Sequence, residues 1–331
     1  MKYKLAQKSI NYYNFFSDKV KITKSIYYKK LFDNLNKYSY EDNIDIKLST
    51  KNVNQVNINY LKNNKFISDK IIQSVQKLNK FTKCIFVYKN VNVNINVYHK
   101  SDLDISKFLT IVSNLIKFII NLSNFKQPIN INYYLTDCKK IIKHRILTPD
   151  EVNTGSSNSK IILIWRKQEV FKTTIHELIH YTDLDNKYTI DNDLERYYLN
   201  KYESTSNNML INESYTDFIA ILINLFLTTK LLNKDYNFFI KILHLEILFI
   251  KYQAMKILNL NKNYNKYTSV LPYYVIKAEL FNQLPKTLKI INSNLKEINL
   301  LKNHMKTFNK IKKSNKINDN DLSMTIINLD I

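Results

Sequence analysis

Alternating hydrophobic and polar residues mark the middle of the chain as β-structure. The segment VNVNINVYH (91–99) alternates strictly with a period of two residues, and CIFVYK (84–89) just before it is rich in apolar residues. Such patterns predict strands, because successive side chains of a strand point to opposite faces of a sheet. Two further apolar runs, INYYL (131–135) and SKIILIW (159–165), predict two more strands.

Helical spacing of apolar residues dominates the rest of the chain. In 105–125 the apolar residues recur every three to four positions, and Asp104 stands directly before them as a candidate N-cap, so we predict a helix there. A shorter helix is predicted at 67–81. The remaining helices all follow the last strand and are predicted at about 168–183, 207–232, 236–258 and 268–283.

This order of elements predicts an α+β fold, in which a small mixed sheet is followed by a mainly helical C-terminal half. We expect strand 159–165, directly before helix 168–183, to lie at a sheet edge, where an extended peptide can add as one more strand. The domain organisation expected is an N-terminal region of unknown role (1–80), one central domain (81–290), and a C-terminal helix with a mobile tail (291–331).

The feature of the composition that bears most on possible partners is the net charge of the chain. The chain has 331 residues, 45% of them hydrophobic, and a formal net charge of +22, which would ordinarily point to nucleic acid. Only three of its 50 basic residues are arginines, although arginine makes the bidentate contacts that nucleic-acid sites favour. A single glycine and many Lys, Asn, Ile and Tyr residues fit an AT-biased coding sequence, such as that of a large DNA virus. Nucleic acid is therefore a partner that we do not favour.

The terminal and apolar segments bear on location. The first residues, MKYKLAQKSINYYNFF, contain no continuous apolar run and no small-residue cleavage site, so we expect an intracellular protein, in host cytoplasm or virion if viral, that is not secreted. The most apolar stretch, FIAILINLFL (218–227), is too short to cross a bilayer, so we expect no membrane span. The oligomeric state is not indicated by these patterns.

The strongest chemical signal is the sequence HELIH at 176–180. With only 6 histidines in the chain, the pattern H-E-x-x-H seldom arises by chance. Residues four apart lie on one helix face, so His176 and His180 can reach the same zinc ion. Glu177 lies beside the first of them and can act as a general base, taking a proton from the attacking water and returning it to the leaving amine. We therefore expect one Zn²⁺ per chain.

A third protein ligand is expected from a later helix. The segment INESYTDFIA (211–220) contains N-E-x-x-x-D, in which Glu213 and Asp217 are four residues apart and share one helical face. Glu213 can bind the metal while Asp217 accepts a hydrogen bond from the far nitrogen of a ligand histidine. Glu195 and Glu203, in the long interval before this segment, are the alternative third ligands.

Together, H-E-x-x-H and N-E-x-x-x-D resemble the pattern of the gluzincin, or thermolysin-like, zinc metallopeptidases. The resemblance extends by element order over roughly residues 84–220 and implies a zincin-like fold. It also implies His176, His180 and Glu213 as zinc ligands, with Glu177 as the general base and Asp217 orienting His176. The interval before Glu213 is longer than in thermolysin and nearer that of the clostridial neurotoxin light chains, which lack N-E-x-x-x-D.

Peptidases of this kind also stabilise the oxyanion with a residue from a later element. Tyr273 and Tyr274, in SVLPYYVIKAELF (269–281), are the candidates, and His244 is the alternative.

Substrate contacts are expected around the strand before the motif. We expect Ile162 and Ile164 on strand 159–165 to contact a bound peptide. Gly155, the only glycine, is expected beside the site, at a turn with positive φ or at a close backbone approach.

The favoured function is a zinc-dependent peptidase that acts on protein or peptide substrates, as an endopeptidase more than as an aminopeptidase. An aminopeptidase needs acidic residues for the substrate amine, and Glu151 and Glu169 are the nearest candidates. The alternative is a non-enzymatic, basic nucleic-acid-binding protein with a structural zinc site. Glu177 distinguishes the two, because a structural site does not need a base beside the metal.

Overall fold

A six-stranded mixed sheet forms the centre of the fold. The computed structural model describes residues 3–16, 18–39, 46–62, 64–144, 146–185, 192–204, 209–260, 268–312 and 319–331. The strands are β1 (Lys47–Asn52), β2 (Lys80–Tyr88), β3 (Val91–His99), β4 (Ile129–Thr136), β5 (Gly155–Ser157) and β6 (Ile162–Arg166), in the spatial order β1-β2-β3-β4-β6-β5. Strands β1 to β3 are antiparallel, β3, β4 and β6 are parallel, and β5 is antiparallel to β6.

Helices precede, interrupt and follow this sheet, so the predicted α+β class is confirmed. They are α1 (Gln7–Phe16), α2 (Ile26–Asn36), α3 (Asn59–Lys62), α4 (Asp69–Val75), α5 (Ile105–Ser123), α6 (Pro149–Val152), α7 (Val170–Tyr181), α8 (Asn192–Lys201), α9 (Asn212–Leu231), α10 (Tyr236–Leu260), α11 (Lys277–Asn282) and α12 (Leu284–Ile290). A π-helical stretch (Leu271–Ile276) precedes α11, and a 3₁₀ helix (Leu295–Thr307) follows α12.

Local sequence accounts for the bounds of the predicted elements. Strands β2 and β3 form a hairpin whose two turn residues, Lys89 and Asn90, both have positive φ (47° and 65°), as a two-residue turn matched to strand twist requires. Helix α5 begins where Asp104 accepts a hydrogen bond from the Lys107 N–H at 3.0 Å, which confirms the predicted N-cap. It ends at Asn124, which is left-handed with φ 56°.

Both faces of the sheet are covered. On one face, residues such as Tyr133 and Ile164 belong to the main core, which includes residues of α5, α7 and α9. On the other face, Tyr134 and Trp165 belong to a smaller core with apolar residues between 56 and 78. Strand β6 is therefore buried on both sides, which explains its unbroken apolar run.

The prediction that strand 159–165 lies at the sheet edge is wrong. Strand β6 lies between β4 and β5, and Ile162 and Ile164 are both fully buried in the main core. They cannot contact a substrate. The edge strand is β5, which is only three residues long and contains Gly155. Its polar sequence, GSS, carries no periodic signal from which a strand could have been predicted.

The described residues of the N-terminal region (1–80) pack both on the C-terminal helices and on the sheet. Helix α1 packs on α10, and α2 packs on α9, α10 and α12. Strand β1 extends the sheet, and α4 covers β4 on the face opposite the motif helix. This region thus contributes to both cores.

The C-terminal segment (319–331) differs from the mobile tail that we expected. Leu322, Ile326 and Ile327 are almost completely buried, and Leu329 pairs with Leu5 in a β-bridge. The segment is buried without a break from residue 322 to residue 327. The rest of the predicted tail, 313–318, lies outside the described residues.

Helix α5 is the one described helix long and apolar enough to cross a membrane. In the fold, 72% of its most apolar window is buried, and it packs against α7 and β2. Core packing accounts for its apolar character.

Candidate metal centre

The motif helix and a second helix bring three donor groups together. His176 and His180 lie on the inner face of α7, and Glu213 lies in the first turn of α9, which packs against α7. The Nε2 atoms of the two histidines are 3.2 Å apart, and each is 3.2 Å from Oε2 of Glu213. The three atoms form an equilateral triangle.

The size of this triangle matches a zinc site. Ligand atoms placed tetrahedrally at about 2.0 Å from one zinc ion are about 3.3 Å from each other, close to the observed 3.2 Å. Two imidazoles and a carboxylate are also ligand types that zinc accepts. The residues present therefore fit a bound zinc ion.

The candidate third ligand is Glu213. Among the described residues, His176, His180 and Glu213 are the group of His, Cys, Asp and Glu whose donor atoms lie within 4.8 Å of one another. Neither Glu195, in α8, nor Glu203, just after it, belongs to this cluster.

Each histidine has a buried carboxylate behind it. His176 Nδ1 lies 3.1 Å from Oδ1 of Asp217, and His180 Nδ1 lies 2.6 Å from Oδ2 of Asp185. Both carboxylates are fully buried. A proton held on Nδ1 leaves Nε2 free to bind a metal, so the hydrogen bond to Asp217 fixes the tautomer that the cluster needs at His176. Asp185 is in ion-pair contact with Nδ1 of His180.

Asp217 occupies its predicted place, whereas Asp185 was missed. Helix α7 ends at Tyr181. Asp183, just after it, is left-handed with φ 55°, and the chain turns back so that Asp185 reaches His180. The Thr216 hydroxyl also donates to Asp185. No spacing rule links Asp185 to the motif; only the reversal of the chain after α7 brings it to the site.

The cluster is strongly coupled by charge. Burial opposes protonation of His180, but Glu213 and Asp185 outweigh it and raise the pKa of His180 well above its ordinary value. Burial likewise opposes ionisation of Glu213, but the two histidines lower its pKa below the usual range. The site is thus arranged around a carboxylate that stays ionised, as a metal ligand must.

Glu177 lies beside this cluster and lines the same cleft as the three ligand residues. Burial raises the pKa of Glu177 above the usual value for a glutamate, and it forms a side-chain hydrogen bond with Ser157. A Cβ atom added at Gly155 would lie 2.8 Å from Glu177 Oε1 and 2.9 Å from Thr173 Cγ2. Gly155 therefore permits a close backbone approach to Glu177 and not a positive φ.

The free edge of β5 borders the site. In the β5–β6 ladder, Thr154 accepts a hydrogen bond from the Trp165 N–H, and paired residues alternate between bonded and non-bonded positions. The N–H and C=O groups of Gly155 and Ser157 therefore point away from β6. A cleft of about 280 Å³ runs along this strand past the ligand cluster, and Phe66 and Leu210 are its apolar residues.

Of the two candidate tyrosines, only Tyr273 lies in the cleft. Its ring centroid is 5.8 Å from that of His176. Burial, with Glu213 and Glu177 nearby, raises the pKa of Tyr273 well above its ordinary value, so its hydroxyl remains a donor. Tyr274 is buried, and its hydroxyl donates to the Leu322 carbonyl at 2.7 Å.

The other predicted alternatives lie in structural contacts. His244 bonds through one ring nitrogen to Thr23 and through the other to the Ile240 carbonyl. Glu151 accepts backbone N–H groups next to α6, and Glu169 pairs with Lys140 at 2.8 Å. None of the three glutamate and histidine candidates lines the cleft.

Comparison with protein-family models, curated proteins and solved structures finds no match for this chain.

Proposed function

We propose that this protein is a zinc-dependent endopeptidase of the gluzincin, thermolysin-like kind, with a zincin-like fold. The observation that supports this best is the position of Glu177. Its carboxylate lies beside the ligand triangle and lines the open cleft, whereas a structural zinc site is closed and has no use for a base.

His176, His180 and Glu213 would hold the ion. When bound, zinc supplies Lewis-acid chemistry, polarising a carbonyl and making water a better nucleophile at neutral pH. Glu177 accepts the proton of the attacking water and passes it to the leaving amine, a role that suits a carboxylate whose pKa burial has raised. The Tyr273 hydroxyl donates a hydrogen bond to the oxygen that develops negative charge.

Strand β5 provides the surface for an extended substrate. The outward N–H and C=O groups of Gly155 and Ser157 can pair with a peptide that lies in the cleft as an added strand. This arrangement favours internal cleavage over removal of single N-terminal residues. Besides Glu177 and Glu213, no described residue of the cleft is acidic, so the cleft offers no further carboxylate for a substrate amine.

Zinc dependence tests this proposal. The purified chain is incubated with an unstructured protein, with a zinc chelator, and with chelator followed by excess zinc, and new N-termini are mapped by mass spectrometry. We expect internal cuts that the chelator abolishes and zinc restores. If the zinc-loaded chain releases only single N-terminal residues, the protein is an aminopeptidase and not an endopeptidase.

The net charge of +22 favours a second candidate, a nucleic-acid-binding protein with a structural zinc. That function predicts binding to nucleic acid that weakens steeply as salt is raised, together with no cleavage of any peptide.

A further inference from the structure

Two buried lysines hold the carboxylate that supports His176. Lys172, on α7, contacts Oδ1 of Asp217, and Lys277, on α11, donates to Oδ2 at 2.6 Å. The side chains of the two lysines are 3% and 1% exposed and that of Asp217 is 0% exposed. We propose that Lys172 and Lys277 are positioning residues of the metal centre, which act on His176 through Asp217. The inference rests on the proposed zinc site.

Charge neutralisation alone does not require this arrangement. One lysine balances the charge of a buried carboxylate, whereas here two lysines on different helices contact its two different oxygens. The carboxylate is thereby fixed both in place and in rotation, with Oδ1 kept 3.1 Å from His176 Nδ1. Asp185, behind His180, has a neutral donor instead, the hydroxyl of Thr216.

The C-terminal segment holds the lysines in turn. Lys277 Nζ donates to the Met324 carbonyl at 3.3 Å, and Lys172 Nζ lies 3.4 Å from Met324 Sδ. The backbone of the next residue is fixed as well, because the Thr325 N–H donates to Glu169 at 2.7 Å. A continuous set of contacts therefore leads from Met324 through the lysines and Asp217 to His176.

A matched control is present in the same region. Lys140 is as deeply buried, with a side chain 1% exposed, and pairs with Glu169 at 2.8 Å, but Asp217 is not among its partners. Replacing Lys140 by Met removes a buried ammonium group without touching Asp217. It separates the general cost of losing a buried lysine from an effect on the metal.

The test is a double-variant cycle on zinc affinity, measured on the full chain by competition with a chromophoric chelator at fixed pH. In Lys277→Met the carboxylate turns toward Lys172 and away from His176, so we expect zinc to bind about tenfold more weakly, as for loss of an outer partner of a metal ligand. Asp217→Asn should weaken binding similarly. Adding Lys277→Met to Asp217→Asn should then change the zinc affinity no further, and Lys140→Met should keep the wild-type affinity.

Unchanged affinity in Lys277→Met would overturn the inference, as would an equal further loss in the Asp217→Asn background, which would mean that the lysine acts on the site independently of Asp217. If Lys277→Met does not fold, the same cycle is run with Lys172→Met. The zinc affinity of the variant that carries both Lys172→Met and Asp217→Asn is then compared with that of Asp217→Asn alone. A wild-type chain that binds no zinc would contradict the proposed function. Zinc binding that none of these variants alters would contradict this inference alone.

Discussion

At the scale of single residues, the only glycine of the chain lies where a side chain would displace the candidate base. The Cβ atom of any other residue at 155 would lie 2.8 Å from Glu177 Oε1, closer than van der Waals contact. Glu177 is buried, and the extra atom would also lie 2.9 Å from Thr173 Cγ2, so it can be accommodated only if these side chains move. Gly155 thus matters for the chemistry and not for backbone conformation.

Gly155→Ala is expected to lower kcat/KM for peptide cleavage on the order of 10- to 100-fold, because a displacement of about 1 Å in a catalytic group has effects of this size. Zinc affinity should not change, since neither Glu177 nor Thr173 is a ligand. The control is Ser156→Ala, the next residue of β5, whose hydroxyl accepts a hydrogen bond from Asn64 instead. Equal activity in Gly155→Ala and wild type would show that the approach to Glu177 is unimportant.

The spacing of residues in the sequence predicted most of the site. His176, His180 and Glu177 follow from one helical turn, and Glu213 and Asp217 from another. Asp185 could not be predicted, because it reaches His180 only through the left-handed turn after α7.

At the scale of elements, the sequence predicts which segments form strands better than it predicts where each strand lies in the sheet. The alternation of β3 and the apolar run of β6 predicted strands correctly. Their order in the sheet depends on long-range pairing, which local periodicity does not contain. Apolar residues on both faces of a strand, as in β6, indicate that the strand lies inside the sheet. By that criterion β6 would not have been predicted as the edge strand.

Ile164→Val tests the internal position of β6. Loss of one methylene from a fully buried side chain should lower the free energy of unfolding by about 1 kcal/mol and leave the preference among peptide substrates unchanged. Chemical denaturation and cleavage of a peptide library measure the two effects. Altered substrate preference with unaltered stability would show that Ile164 contacts the substrate and is not a core residue.

At the scale of the whole molecule, the chain termini complete the fold around the site. Helices α1 and α2 pack on the C-terminal helices, and the C-terminal segment is buried between them. The polar sequence KKSNKINDNDLSM (312–324) predicted a mobile tail. The apolar residues from 322 onward, including Leu322 and Ile327, are too few to predict burial from local pattern, although each is fully buried.

Deleting residues 321–331 should therefore unfold the protein or leave it insoluble. Burial of each large apolar side chain is worth about 2 kcal/mol. The deletion also removes the backbone N–H groups that donate hydrogen bonds to Glu169 and Glu246. These losses are large beside a total stability on the order of 10 kcal/mol. Thermal melting followed by circular dichroism measures the loss. Ile331→Ala, at the partly exposed end, is the control and should melt like wild type. A truncated chain with wild-type melting would contradict the packing described here.

The lining of the cleft also differs in charge from the chain as a whole. The chain carries 50 basic residues, yet none of the described residues that line the cleft is Lys or Arg. The cleft is therefore unlike a groove for a nucleic-acid backbone, which basic side chains would line.

The variant Glu177→Gln tests the proposed peptidase function most directly, with zinc content and peptide cleavage measured on the same preparation. Glutamine keeps the shape of the side chain and removes the base, and Glu177 is not one of the three ligand residues. We expect the variant to fold and to retain one zinc per chain while cleavage falls by about 10²- to 10⁴-fold. Zinc-loaded wild type that cleaves no peptide, or a variant that cleaves as fast as wild type, would contradict it.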